Sequence, residues 1–127
     1  VKAPLVPLSL YGGIVLNLYT NALKAVMAKT GGGRQEIAIR AWVEKGVHRL
    51  QVSDTGIGIP AAMSERIFDP LFTTTDAKRD LIGSGMGLGL TLVKRGVKAF
   101  KGSVEVVKPP PTFSTCFDVK LPMGGNE

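Results

Sequence analysis

Every stretch of this sequence that alternates like a β-strand has one apolar face and one polar face. Ile37, Ile39, Ala41 and Val43 alternate with Glu36, Arg40 and Glu44. Leu50 and Val52 alternate with Arg49, Gln51 and Ser53 in a run that ends at Asp54. Val104 and Val106 mark a third segment, and Phe113, Thr115, Phe117, Val119 and Leu121 line one face of a fourth. Strands buried on both faces would be apolar throughout. These four call for a sheet covered by helices on one side only, a two-layer α/β sandwich.

The covering helices are legible between the glycines. From Leu8 to Lys29 apolar residues surround nearly the whole helical wheel; Gly12 and Gly13 weaken its first turns, and Gly31 to Gly33 end it. A helical pattern returns from Gly87 to Phe100, and a short helix of about four to six residues is expected after Pro60. Residues 69–84 hold no clear period and are rich in Thr, Asp, Lys and Arg, which suits a lid or a disordered segment. A chain of 127 residues has room for one domain, and no repeat or second domain is visible. Its one cysteine, Cys116, has no partner and no zinc-like spacing around it, so a reducing, cytoplasmic setting is expected. Asn17, Asn21 and Lys24 interrupt the most hydrophobic stretch, so no transmembrane helix or membrane contact is expected. A net charge of +6 suits an anionic partner. Aromatic residues make up only 6% and no recognition motif appears, so nucleic acid is not that partner.

Three constellations ask for more than a fold. On the long helix, Asn17, Thr20, Asn21 and Lys24 fall within an arc of roughly 100° on an otherwise apolar wheel. Such a stripe either faces solvent or turns two amide oxygens and an ammonium towards a cation and an anion together. The second constellation is Asp54-Thr55-Gly56-Ile57-Gly58-Ile59-Pro60. Here a strand delivers a carboxylate on the face of Leu50 and Val52, and two glycines allow a tight turn beside it. A core-side carboxylate wants a donor, and the amino group of a purine is one. The third is Gly83-Ser84-Gly85-Met86-Gly87-Leu88-Gly89-Leu90. Its spacing fits neither the dinucleotide fingerprint nor the P-loop. Glycines before a helix still form either a hinge or a set of free N–H groups aimed at an anion.

Taken in order, these segments resemble the ATP-binding domain of the GHKL superfamily of gyrases, heat-shock chaperones, histidine kinases and mismatch-repair proteins. Asn17 to Ala25 is similar to its N box, Asp54 to Pro60 to its first glycine box, and Gly85 to Leu90 to its second. Ile67-Phe68-Asp69-Pro70-Leu71-Phe72-Thr73-Thr74 resembles the F box of sensor histidine kinases, and Ser114 to Phe117 with Leu121-Pro122 resembles their closing strand. The resemblance implies a Bergerat-type fold with a mixed, mostly antiparallel sheet, binding ATP with Mg²⁺. Asn21 would hold the metal, Lys24 would meet the phosphates, and Asp54 would accept from the adenine amino group with Thr115 in support. Gly56, Gly58 and Ile59 would close on the base. Thr73, Thr74, Gly85, Gly87, Leu88 and Gly89 would line the nucleotide, with residues 69–84 as an ATP lid.

Position 17 sets the sub-class. Hydrolytic members of the superfamily carry a Glu there as base towards water, whereas Asn17, the residue at the catalytic position, cannot accept a proton. The resemblance therefore implies a sensor-kinase catalytic domain that transfers phosphate to a histidine, with a response regulator downstream. One departure stands in the F box, where Thr75 replaces the usual Lys; Lys78 or Arg79 could reach the phosphates instead. The single histidine, His48, opens a strand and reads as a surface or edge residue rather than an acceptor. The acceptor is therefore expected on a separate histidine-bearing dimerisation domain, with this chain a fragment of a longer kinase. Lys94, Arg95, Lys98 and Lys101 read as a solvated helix face. An anti-sigma-type serine kinase and a nucleotide-binding regulatory module without transfer activity are the alternatives.

Overall fold

The computed structural model describes residues 2–69 and 88–123. Four strands, β1 (Ile37–Glu44), β2 (Val47–Asp54), β3 (Ser103–Val107) and β4 (Thr115–Pro122), form one sheet in the order β1-β2-β4-β3. Every pairing among them is antiparallel. Helices α1 (Leu8–Ala28) and α2 (Leu88–Ala99) cover one face. The one-sided sandwich read from strand alternation is the fold observed.

Helix α1 starts directly after Pro7, whose carbonyl accepts from the backbone N–H groups of Leu10 and Tyr11 at 3.0 and 3.1 Å. Proline suits this boundary because its fixed φ already matches a helix entry. Only one stripe of α1 is buried: Ile14, Leu18, Ala22 and Val26, each four residues from the last. Leu16, Tyr19, Leu23 and Met27 stay exposed on the far side, although the wheel is apolar nearly all round. Ile14, Leu18 and Ala22 of the stripe pack with Val93 and Val97 of α2 onto Leu50, Val52, Phe117, Val119 and Leu121. Phe68 meets Phe117 edge-on, with ring centroids 6.1 Å apart, an arrangement worth about 0.5–1.5 kcal/mol beyond area burial.

Several sequence expectations are corrected here. β1 is an outer strand, so Ile39 and Val43, though on the helix side, remain 46% and 39% exposed. β2 begins at Val47, because Lys45 and Gly46 both take left-handed φ in a two-residue hairpin turn and Glu44 pairs with Val47. After Pro60 two 3₁₀ turns, Ala61–Met63 and Arg66–Phe68, replace the single short helix. Phe113 precedes β4 and lies under the Arg34 guanidinium at 5.0 Å. His48 is 1% exposed on a central strand; its Nε2 meets the Tyr11 hydroxyl at 2.7 Å and its Nδ1 the Lys2 carbonyl at 2.9 Å. Of the basic run, Lys94 is half-buried with its ammonium 5.2 Å above the Phe68 ring, whereas Arg95, Lys98 and Lys101 face solvent.

The helix-free face of the sheet is polar and self-paired. Asp118, buried there, accepts from Arg49 and Gln51 at 2.9 Å each. Arg49 also reaches Glu44 at 3.6 Å and lies 5.1 Å from the Trp42 ring. A buried carboxylate needs such donors, since its desolvation otherwise costs several kcal/mol.

Candidate functional site

The first glycine box leaves the end of β2 at Asp54. Its Oδ1 accepts from the Gly56 backbone N–H at 2.8 Å, which closes the turn, and its Oδ2 is buried with no hydrogen-bond partner among the described residues. Across the sheet Asp54 is registered with Thr115, and the Thr115 hydroxyl is likewise buried and without a partner among the described residues. Burial raises the Asp54 carboxyl above the usual range, and the Gly56 N–H partly opposes the rise. An acceptor and a hydroxyl, both desolvated and paired in register, are costly at about 1–3 kcal/mol each unless a polar ligand meets them.

The turn beyond Asp54 is fastened to α1. Ile57 donates its N–H to the Ala25 carbonyl at 3.2 Å, and a β-carbon on Gly56 would overlap that same carbonyl. Glycine is required by this close approach of two backbones. Lys29 Nζ reaches the Thr55 carbonyl at 3.3 Å, and the Thr55 hydroxyl donates to the Arg34 carbonyl at 2.8 Å and accepts from the Glu36 N–H at 2.9 Å. From the other side Ser114 donates its N–H to the Asp54 carbonyl at 2.8 Å. Gly58, with φ of +80°, and the half-buried Ile59 continue the wall.

The polar stripe of α1 divides into three roles. Thr20 turns its hydroxyl back to the Leu16 carbonyl at 2.7 Å. Asn17 donates Nδ2 to the Gly13 carbonyl at 2.8 Å, while its Oδ1 lies against Gly89, 2.9 Å from where a β-carbon there would stand. It thus wedges α1 against the first turn of α2. Asn21 and Lys24 have no hydrogen-bond or ion-pair partner among the described residues. Leu88 opens α2; Thr73, Thr74, Gly85 and Gly87, and the lid over 69–84 apart from Asp69, lie outside the described residues. The F-box end that is described is held in place, since the Thr91 hydroxyl donates to the Phe68 carbonyl at 3.0 Å.

Sequence reasoning missed the Ala25 carbonyl, Lys29 and Arg34 as supports of this site. Backbone carbonyls carry no sequence signal. Gly56 beside an aspartate was the one hint that something approaches closely.

A one-sided antiparallel sheet covered by two helices, with buried polar atoms left unsatisfied on its central strands among the described residues, defines a two-layer α/β sandwich. Residues 10–125 match the family described as histidine kinase-, DNA gyrase B-, and HSP90-like ATPase, and the chain belongs to that ATP-binding family. It is 32% identical over 117 residues to the signal transduction histidine-protein kinase AtoS of Escherichia coli (strain K12), covering 90% of this chain and 17% of that protein. Identity to the circadian input-output histidine kinase CikA of Thermosynechococcus vestitus is 37% over 109 residues, covering 86% of this chain and 14% of that protein. The chain thus spans less than a fifth of these relatives. Among solved structures it is similar to the mycobacterial sensor histidine kinase MprB, with a TM-score of 0.67, 29% identity and coverage of 90% of this chain and 70% of that one. It is equally similar to full-length ShkA in complex with AMPPNP (TM-score 0.67, 29% identity, 89% of this chain and 21% of that one). Among the described residues no helix is long and apolar enough to cross a membrane.

Proposed function

We propose that this domain binds ATP with Mg²⁺ and donates the γ-phosphoryl group to a histidine on a separate, helical dimerisation domain of a cytoplasmic two-component relay, with a response regulator as the eventual acceptor. The observation that carries the reading is the registered pair of partnerless buried atoms, Asp54 Oδ2 and Thr115 Oγ1. Adenine matches them: its exocyclic amine donates to the carboxylate and its ring nitrogen accepts from the hydroxyl. Lys24 meets the phosphates as a point charge, together with backbone N–H groups at the start of α2. The partnerless Asn21 offers one neutral oxygen, which suits a hard cation that keeps several waters and phosphate oxygens around it. Bound there, Mg²⁺ would supply charge neutralisation of the phosphates.

In the transfer, an acceptor imidazole nitrogen bonds to the γ-phosphorus as the bond to the β–γ bridging oxygen breaks, and ADP departs. This chain orients the donor, and the acceptor comes from the other domain. Asn17 supports transfer over hydrolysis, because its amide already donates to Gly13 and has no basic site to deprotonate water. Incubation with γ-labelled ATP tests this. The chain alone should bind nucleotide, yet neither label itself nor release phosphate at an appreciable rate. Adding histidine-bearing helices from a sensor kinase should restore an acid-labile label on those helices. Rapid phosphate release by the chain alone would favour the hydrolase reading.

A further inference from the structure

Between Lys29 and Arg34 the chain is Thr30 and three glycines, so Arg34 is the next long side chain after α1 that can fasten anything. It fastens two segments that are distant in sequence. Its carbonyl receives the hydroxyl of Thr55, the neighbour of Asp54. Its Nη2 donates to the Thr112 hydroxyl at 2.7 Å, its guanidinium lies 5.0 Å over the Phe113 ring, and its Nε pairs with Glu36 at 2.9 Å. Thr112 and Phe113 lead directly into Ser114 and Thr115. One residue therefore braces both members of the registered pair, Asp54 from one side and Thr115 from the other.

Thr112 needs holding. Phe113 donates its N–H to the Pro110 carbonyl at 3.1 Å, which closes a turn with Pro111 at its second position and Thr112 at its third. Thr112 takes φ of +73° there. A positive φ at the third position marks a type II turn, where glycine or asparagine is the ordinary residue. For a β-branched residue this conformation is strained, and such strain lasts only where the surroundings impose it. A planar guanidinium can impose it, because its donors and its face reach a carboxylate, a hydroxyl and a ring at once. The strained turn yields position. Two residues beyond it the Ser114 N–H meets the Asp54 carbonyl at 2.8 Å, and the next residue brings its hydroxyl into register with Asp54.

We infer that Arg34 is a positioning residue for selection of the base. It is a staple that keeps the Pro110–Phe113 turn in its strained form and so keeps the Thr115 hydroxyl beside Asp54. Without it Thr112 relaxes to a negative φ, the Ser114 bond to Asp54 opens, and the Thr115 hydroxyl loses its fixed place. The bearing on the base rests on the ATP reading, whereas the staple itself does not.

Two substitutions in the full chain test this. Arg34→Met removes the fork and keeps an apolar stem for Phe113. Thr112→Gly removes the strain, because glycine adopts positive φ freely. Amide exchange without nucleotide reads the staple: in Arg34→Met the Ser114 amide should exchange about tenfold faster than in the parent. Adding Thr112→Gly should return it to within about threefold. Calorimetry reads the base, with ATP against inosine triphosphate, whose ring edge reverses the donor and acceptor of adenine. Arg34→Met should weaken ATP about three- to tenfold and leave inosine triphosphate nearly unchanged. The double variant should recover ATP binding, and melting without nucleotide should move by less than about 3 °C in each. Unchanged Ser114 exchange in Arg34→Met would overturn the staple. Equal weakening of both nucleotides, or a loss that Thr112→Gly does not recover, would reduce Arg34 to a cation near an anionic ligand and overturn the positioning role. A parent that binds neither nucleotide would refute the ATP reading instead, and Ser114 exchange would still decide the staple.

Discussion

Around Asp54 the polypeptide is held from three sides, by Gly56 within the turn, by Ala25 from α1 and by Ser114 from the neighbouring strand. Asn21, one helical turn before Ala25, and Lys24, directly before it, have no side-chain partner among the described residues. On the proposed reading, the same helix would serve two kinds of recognition. At the Asp54 end, shape and hydrogen-bonding pattern exist before any ligand arrives, and the protein bears the desolvation of two polar atoms in advance. At the Asn21 end, solvated charge and amide wait for a ligand to organise them. On the proposed reading, such a division would give selectivity for the base and electrostatic attraction for the phosphates.

The largest effect should come from breaking the fixed end. Gly56→Ala forces a β-carbon into the Ala25 carbonyl, an overpacking that costs about 1–3 kcal/mol or more. Thermal unfolding should move down by about 5–15 °C, and calorimetry should find nucleotide binding lost. Asp54→Asn keeps the Gly56 bond through its amide oxygen but presents a donor to the adenine amine. Affinity for ATP and for adenosine should fall together by about 10- to 100-fold, in line with a mispaired buried contact of about 1–3 kcal/mol.

That variant also has a stability signature. A carboxyl raised by burial holds its proton in the folded state at a pH where the unfolded chain has released it, so stability falls as pH rises from the unfolded value of 3.8 through the raised folded one. Without nucleotide, Asp54→Asn should therefore melt no lower than the parent at neutral pH. Its advantage should vanish in acid, below the ordinary aspartate range. Melting curves across pH check the sign, and a parent more stable than the variant at pH 7 would refute the cost assigned to Asp54.

The smallest effect belongs to the open end. Lys24→Ala should weaken ATP by about three- to tenfold, leave adenosine binding unchanged and reduce the salt dependence of ATP binding. Equal losses for both ligands would erase the distinction between the two ends.

What could be read in advance follows the same line between local and distant causes. Asp54 and Gly56 were legible because a strand end, a carboxylate and a tight turn are neighbours in the chain. The one-sided sheet was legible because alternation is a local pattern. The exposure of Ile39 and Val43 was not, since a strand's own residues do not reveal whether it lies at the rim of the sheet or under the helices. His48 was misread for a similar reason: its partners Tyr11 and Lys2 stand 37 and 46 residues away. Asn17 reads as a site residue, but its contact with Gly89 depends on how α1 crosses α2.

The His48 bonds also fix which ring nitrogen carries the hydrogen. A carbonyl can only accept, so Nδ1 donates to Lys2 and Nε2 receives the Tyr11 hydroxyl. One imidazole thereby ties the irregular segment preceding α1, and α1's first turn, to a central strand of the sheet. The load path of the domain follows from this tie. Tension applied at residue 2 runs across the ring into β2, whose hydrogen bonds lie on both flanks, instead of peeling α1 from its N-terminal end. A tug there is shared by the central ladder, at whose far end Asp54 sits.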